Sequence, residues 1–404
     1  MSSRRWFSAV NSRIARSLAR LACVLAPGFL LLSCTAPYRV AILEQPAQSF
    51  DGVLDFAADR DVRVLWIHGM CTHPTDWALE RHQTFAAALG STQTLSDIPV
   101  RPGPKRITFK DRVNNHQIET RYLLWSPLSA EAKKTLFFDA PPGERPGGQF
   151  EHTRAKFNNA LKVGLINDCF ADAVIYTGTA GNPIRRWVYQ ELCSALGGSV
   201  SGPLSCNVPN DAVATPLVAV SESLGSKILF DAVEQILSQR NTFARARMRT
   251  SLQLIFMKAN QLPLLDTATF HQNVSPSTVL RVARMLTSGR GMKANRVTGR
   301  LEPPVRIVAF TDPNDLLSYR LPPEAFSPQN VGVSNVIVSN DDTYFGLIER
   351  PDTAHCGYAW NPFVLGTIVH GYDGALRSIR NDVPHKCGLA ESDPVGERGT
   401  RPGY

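Results

Sequence analysis

Six short apolar runs punctuate the chain: 62–67 (VRVLWI), 172–176 (DAVIY), 216–220 (PLVAV), 252–257 (LQLIFM), 305–310 (VRIVAF) and 331–338 (VGVSNVIV). Near-continuous runs of this length, rich in β-branched residues, predict strands buried on both faces of a parallel sheet. Between several of them the apolar spacing changes to the helical period, at 77–89, 226–239, 277–287 and 361–371. The alternation predicts an α/β fold with a doubly wound, mostly parallel sheet. From about 99 to 160 the chain is polar and broken by Pro and Gly. A hairpin of 106–110 with 118–125 is expected inside it, and the stretch is taken as an insertion or cap. The expected organisation is a leader over 1–33, a tether over 34–60, the α/β domain over 61–380 and a loosely ordered Pro- and Gly-rich tail over 381–404. No internal repeat is present.

Composition narrows the class. With 43% hydrophobic and 19% charged residues over 404 positions, the chain is an ordinary globular protein, not a disordered, coiled-coil or multi-span one. The stretch 21–32 (LACVLAPGFLLL) is too short to span a bilayer but suits the apolar region of an export signal behind Arg4, Arg5, Arg13, Arg16 and Arg20. Leu31-Leu32-Ser33-Cys34 resembles the lipobox of bacterial lipoproteins, with Leu32 larger than the residue usual in its slot. That resemblance implies cleavage before Cys34, acylation of Cys34, and a lipid-anchored protein of the cell envelope, on the outer membrane facing the periplasm. Ser3-Arg4-Arg5-Trp6-Phe7 is also similar to a twin-arginine signal, so the export route stays open.

The five arginines before Cys34 face no acidic residue there, which leaves +3 of the formal +8 for the rest of the chain. Without a patterned Lys/Arg cluster interleaved with aromatics, nucleic acid is not an expected partner. Beyond Cys23 and Cys34 lie Cys71, Cys169, Cys193, Cys206, Cys356 and Cys387. An exported chain permits disulfides among these, and Cys193 and Cys206 bracket a Gly/Ser/Pro loop that a local bridge would close. Cys356 is expected to be buried or disulfide-bonded. Neither CxxC nor HExxH occurs, so no metal is expected.

Four segments carry candidate chemistry. Run 216–220 leads into Ser221-Glu222-Ser223-Leu224-Gly225-Ser226 and then a helix, the strand-turn-helix context in which a serine is exposed as a nucleophile. The motif asks for small residues two before and two after the serine, and here Ser221 stands where glycine is commoner. His68-Gly69-Met70 ends the first apolar run. Run 305–310 leads to Asp312 and Asp315, the latter inside Asn314-Asp315-Leu316-Leu317 with Arg320-Leu321-Pro322-Pro323 beyond. His355-Cys356-Gly357-Tyr358 follows the last run and precedes Asn361 and a helix.

These segments, in this order, resemble the α/β-hydrolase superfamily, esterases and lipases in particular, over about residues 61–380. Nucleophile, acid, histidine is the chain order of that fold. The resemblance implies Ser223 as nucleophile, Asp315 as acid with Asp312 as the alternative, and His355 as base. The backbone N–H groups of Met70 and Leu224 would be the oxyanion donors, with His68 structural and His370 outside the site. It implies carboxylic ester hydrolysis of a small-molecule or lipid substrate, with no cofactor. The same triad would serve a thioesterase, amidase or acyltransferase, and a degenerate site would leave an envelope binding protein. Segments 99–160 and 279–286 would form a lid or simply pack on the sheet.

Overall fold

The computed structural model describes residues 34–44, 50–92, 94–99, 102–202, 204–211, 213–269, 277–294, 301–326, 330–344 and 347–378. The expected leader over 1–33 with Cys23, and the expected tail over 381–404 with Cys387, lie outside the described residues. Among the described residues, no helix is long and apolar enough to cross a membrane.

Nine strands form one mixed sheet: β1 (Ile42–Leu43), β2 (Val62–Ile67), β3 (Thr94–Asp97), β4 (Lys105–Val113), β5 (His116–Leu124), β6 (Leu217–Glu222), β7 (Leu252–Lys258), β8 (Val305–Thr311) and β9 (Val331–Ile337). Their spatial order is β1-β9-β8-β7-β6-β2-β5-β4-β3. The run from β9 through β5 is parallel throughout, while β1, β4 and β3 join in antiparallel fashion. Alternation along each strand feeds two apolar layers. Leu217 and Ala219 of β6 enter one, and Val218 and Val220 enter the other. Helices Asn182–Ala195, Leu224–Leu237 and Thr278–Thr287 cover the first layer; Asp76–Leu89 and Pro362–Ser378 cover the second. The result is an α/β architecture with helices on both faces of a mostly parallel sheet.

From β2 the chain crosses to the sheet edge at β3, works back through β4 to β5 beside β2, and then continues on the other side of β2 as β6. The strand order therefore reverses between β2 and β6. In open α/β sheets the crevice beyond the C-terminal ends of strands at such a switch point is where ligands bind.

Several expectations change. The run 172–176 is not a strand but part of helix Ala171–Thr177, because Ala171, Asp172 and Tyr176 bury one helical side while Val174 is 72% exposed. The hairpin within 99–160 forms as β4 and β5, and β5 pairs with β2 in parallel register, so this stretch extends the main sheet. The segment taken as a tether is tied down at several points. Cys34–Thr35 pairs with Thr343–Tyr344, β1 pairs with β9, and Val53–Phe56 is helical. The last helix breaks at Gly371 and resumes after it; there φ is +69° and an added Cβ would lie 2.1 Å from the Phe50 carbonyl oxygen. Only glycine fits there. Cys71–Cys169 and Cys193–Cys206 are disulfides. Cys356 is in neither bridge and is exposed, contrary to expectation, because it ends the short helix Pro351–Cys356 on its outward side.

Candidate active site

β6 ends at Glu222, and helix Leu224–Leu237 starts one residue later, which forces Ser223 to turn the chain alone. Its backbone takes φ +51°, ψ −122°. A non-glycine residue there costs on the order of 1–3 kcal/mol and persists only where the surroundings enforce it. They do. The Ser223 N–H donates to the Lys258 carbonyl at 2.8 Å, and the Ser226 N–H donates to the Ser223 carbonyl at 3.0 Å. The Lys258 ammonium also pairs with the Glu222 carboxylate, which accepts from Trp66 Nε1 at 2.9 Å. Burial opposes that carboxylate, but the Lys258 and Arg81 charges outweigh it and hold its pKa down at about 2. Residues on both sides of Ser223 are thus fixed.

The turn brings backbones close together. A Cβ on Gly225 would lie 2.6 Å from the His68 carbonyl oxygen, so this position accepts only glycine. Ser221, two residues before Ser223, is small enough and has its own role. Its hydroxyl lies 3.0 Å from that of Ser226 and donates to the Phe256 carbonyl at 3.2 Å.

His355 Nε2 lies 3.1 Å from Ser223 Oγ, and its Nδ1 lies 2.8 Å from Asp315 Oδ1. Both distances fit an imidazole that donates to the carboxylate through Nδ1 and accepts the serine proton at Nε2. Burial works against the charged ring, but the Asp315 hydrogen bond and charge outweigh it, and the His355 pKa is raised above its ordinary value. Asp315 is buried, and Oδ1 also accepts from the Leu317 N–H at 3.0 Å. Its Oδ2 accepts from the Tyr358 hydroxyl at 3.1 Å.

Asp312 makes no such contact with His355. Its Oδ1 accepts from the Asn314 N–H and its Oδ2 from the Asn340 N–H, which closes the turn after β8. Burial raises its pKa. Glu349 faces it, accepts from Asn314 Nδ2 at 2.7 Å, and is pushed up to about 8 by burial and by the Asp312 charge.

The 68–72 loop lies against the serine turn, with the ideal Cβ position of Gly69 only 2.8 Å from Ser223 Cβ. The loop is pinned at each step. His68 Nδ1 donates to the Gly69 carbonyl, and Nε2 accepts from the Trp125 and Ser126 amides. Complete burial lowers its pKa well below the usual value, so this ring is neutral and structural. The Met70 carbonyl accepts from His73 Nε2, a ring that burial lowers to about 4. Cys71 is bonded to Cys169 and gives its N–H to Asp172 at 2.9 Å, while Thr72 bonds Asp168. Lys133 bridges both aspartates. The Leu224 N–H, at the first position of its helix, is among the donors that helix geometry leaves without an intrahelical acceptor. It follows Ser223 directly, on the turn against which the Gly69-Met70 segment lies.

Ser223, His355 and Asp315 therefore come together with the segments carrying Met70 and Leu224. Asp312 stands aside as a turn former, and the half-buried His370 lies on helix Pro362–Ser378. Sequence reasoning assigned no role to Lys258, Tyr358, Lys133, Asp168 or Asp172. Tyr358 had a signal in the spacing His-x-x-Tyr, and Lys258 had one as a charge ending an apolar strand. One group of possible metal ligands converges among the described residues, Cys71, Asp168 and Cys169, but both its sulfurs are committed to the disulfide. No family model matches the chain, and no curated protein or solved structure shows significant similarity to it.

Proposed function

We propose that this chain is a serine hydrolase of the α/β-hydrolase type that cleaves carboxylic esters, with Ser223 as nucleophile, His355 as base and Asp315 as its orienting acid. The observation that carries the reading is the continuous relay from Ser223 Oγ through His355 to Asp315, built on a strained turn at the switch point of the sheet. A hydroxyl alone is a poor nucleophile at neutral pH. A strained turn, a neutral imidazole at hydrogen-bond distance and nearby amide donors are what activates it.

His355 takes the Ser223 proton as Oγ attacks the ester carbonyl, and Asp315 stabilises the imidazolium. The oxyanion is held by the amides of Met70 and Leu224. Collapse breaks the ester C–O bond, and the departing alkoxide takes the proton from His355. Water, deprotonated by the same imidazole, then attacks the acyl-enzyme and releases the acid and free Ser223.

Two disulfides support an oxidising compartment, which agrees with the leader-like N-terminus and an envelope location anchored through Cys34. Fluorophosphonate labelling of the purified protein beside Ser223→Ala tests the assignment. The parent is expected to label and hydrolyse a short ester while the variant does neither; equal labelling of both would sink it.

A further inference from the structure

Exposed apolar side chains sit on two segments next to the triad, one following Asp315 and one preceding the short helix that holds His355. Leu316, the residue after Asp315, is 75% exposed; Leu347 and Ile348 are 87% and 61% exposed, and Tyr344 is 43% exposed. The two loops that carry them are tied together, since Asn314 Nδ2 donates to Glu349 at 2.7 Å. The Tyr344 N–H donates to the Ile348 carbonyl at 2.7 Å, and the Leu347 N–H donates to the Tyr344 carbonyl at 3.0 Å, which turns this loop back on itself. Water-facing leucine and isoleucine held in a fixed arrangement beside a polar site mark an interaction surface.

The first described residues of the chain lie at the same place. Cys34 stands in register with Tyr344, and Thr35 with Thr343, in an antiparallel pair. The Thr35 and Thr343 hydroxyls meet at 2.6 Å, and the Tyr38 N–H donates to Ser339. The sequence preceding Cys34, which includes the apolar run 21–32, is therefore attached beside this patch. Whether that run is retained or replaced by acyl chains on Cys34, the attachment point is the same. Around the patch the exposed ion pairs Arg39–Asp342, Arg350–Asp352 and Arg320–Glu44 place both charge signs, as a zwitterionic headgroup layer does. The tether expected at Cys34, the exposed apolar side chains and a mixed-charge rim fit a phospholipid surface.

We propose that the face bearing Leu316, Tyr344, Leu347 and Ile348 rests on a phospholipid bilayer, so that the Ser223 crevice opens at the membrane surface and draws its acyl ester from it. The substrate half of this statement rests on the hydrolase reading above; the contact half does not.

The contact is tested without turnover. The full chain is reconstituted with vesicles of phosphatidylethanolamine and phosphatidylglycerol carrying a diazirine in one acyl chain, irradiated, digested and mapped by mass spectrometry. Lipid adducts are expected on the peptides holding Leu316 and Leu347 at about five times or more the level on the peptide holding Val213. Val213 is 86% exposed and precedes β6, at the opposite end of the sheet. Leu347→Asp with Ile348→Asp is expected to lower the Leu316 adducts about fivefold, and Ile348→Ser alone to lower them by less. Thermal melting reports whether each variant folds. Equal adducts at both ends, adducts concentrated at Val213, or no lipid adducts on the peptides holding Leu316 and Leu347 would each overturn the proposal. Ser223→Ala is expected to give the parent map, so a protein that fails to hydrolyse esters but keeps this map overturns the enzymatic reading alone.

Discussion

Gly69→Ala probes whether the 68–72 loop serves the chemistry of Ser223. The added Cβ would lie 2.8 Å from Ser223 Cβ and 3.0 Å from the Glu222 carbonyl oxygen. Carbon pairs pack at about 3.5–4.0 Å, so loop and turn must part by about 0.7–1.2 Å. Ser223 cannot give way, because its N–H is bound to Lys258 and its φ is already +51°. The displacement therefore falls on Gly69 and Met70, whose other neighbour, Cys71, is held by Cys169 and Asp172. Oxyanion donors act at about 2.7–3.1 Å, and a shift of this size removes the Met70 amide from range; losing one donor costs about 10²–10³ in kcat, or about 2.7–4 kcal/mol. Overpacking adds a stability loss of about 1–3 kcal/mol. Steady-state hydrolysis of a p-nitrophenyl ester, with thermal melting in parallel, is expected to show the fall in kcat with a smaller change in KM. Gly291→Ala, with nothing within 4 Å of its added Cβ, is the matched control and is expected to match the parent. A Gly69→Ala enzyme that folds and keeps kcat within about threefold of the parent refutes the loop as an oxyanion donor.

Asp315→Asn is expected to cut kcat by about 10⁴-fold, the loss that follows when a triad histidine loses its orienting carboxylate. Asp312→Asn should act chiefly on thermal stability, through its turn, and equal kinetic losses in the two variants would contradict the assignment. On the proposed reading neutral His355 is the base, and since its pKa is raised, kcat/KM should fall on the acid side with a midpoint above pH 6.5; a midpoint below 6.5 would count against Asp315 as its partner. Glu349 has a folded pKa of about 8 against an ordinary 4.5. Below 4.5 both folded and unfolded states hold the proton; between 4.5 and 8 only the folded state does, so stability drains away as pH rises through that window. Glu349→Gln should flatten this slope and melt higher than the parent at pH 8 but not at pH 4.5, and superimposable melting curves at both pH values would refute it.

What the sequence disclosed and what it withheld divide along chain separation. The strand-turn-helix around Ser223, the Gly69 loop and the helix after Asn361 are contiguous patterns, and a contiguous pattern reports local backbone directly. The misread strand at 172–176 shows the limit. Val174 and Ile175 are good strand formers, but Asp172 is completely buried against Lys133 and the Cys71 amide, and a helix alone can aim it there. Those partners lie 39 and 101 residues away. Tertiary context overrides local propensity in such a place.

The choice between the two aspartates follows the same division, one step closer to the chemistry. Asp312 and Asp315 stand three residues apart on one turn, and in the sequence only the pattern flanking Asp315 tells them apart. Asp312 is engaged at one oxygen by Asn314, two residues on, and at the other by the Asn340 amide, 28 residues on. Asp315 has Oδ1 directed at His355, 40 residues on, and Oδ2 at Tyr358, 43 residues on. Tyr358 joins the two, since its oxygen accepts from the Asp312 N–H at 2.6 Å and its proton goes to Asp315. It is buried, and the Asp315 charge adds to that burial in holding its pKa well above 10, so the phenol stays a donor at any working pH. A donor fixed on Oδ2 leaves Oδ1 as the oxygen that orients the imidazole. The carboxylate that partners His355 is thus set by a tyrosine on the histidine's own loop, three residues after His355, through a contact that no spacing between the aspartates encodes.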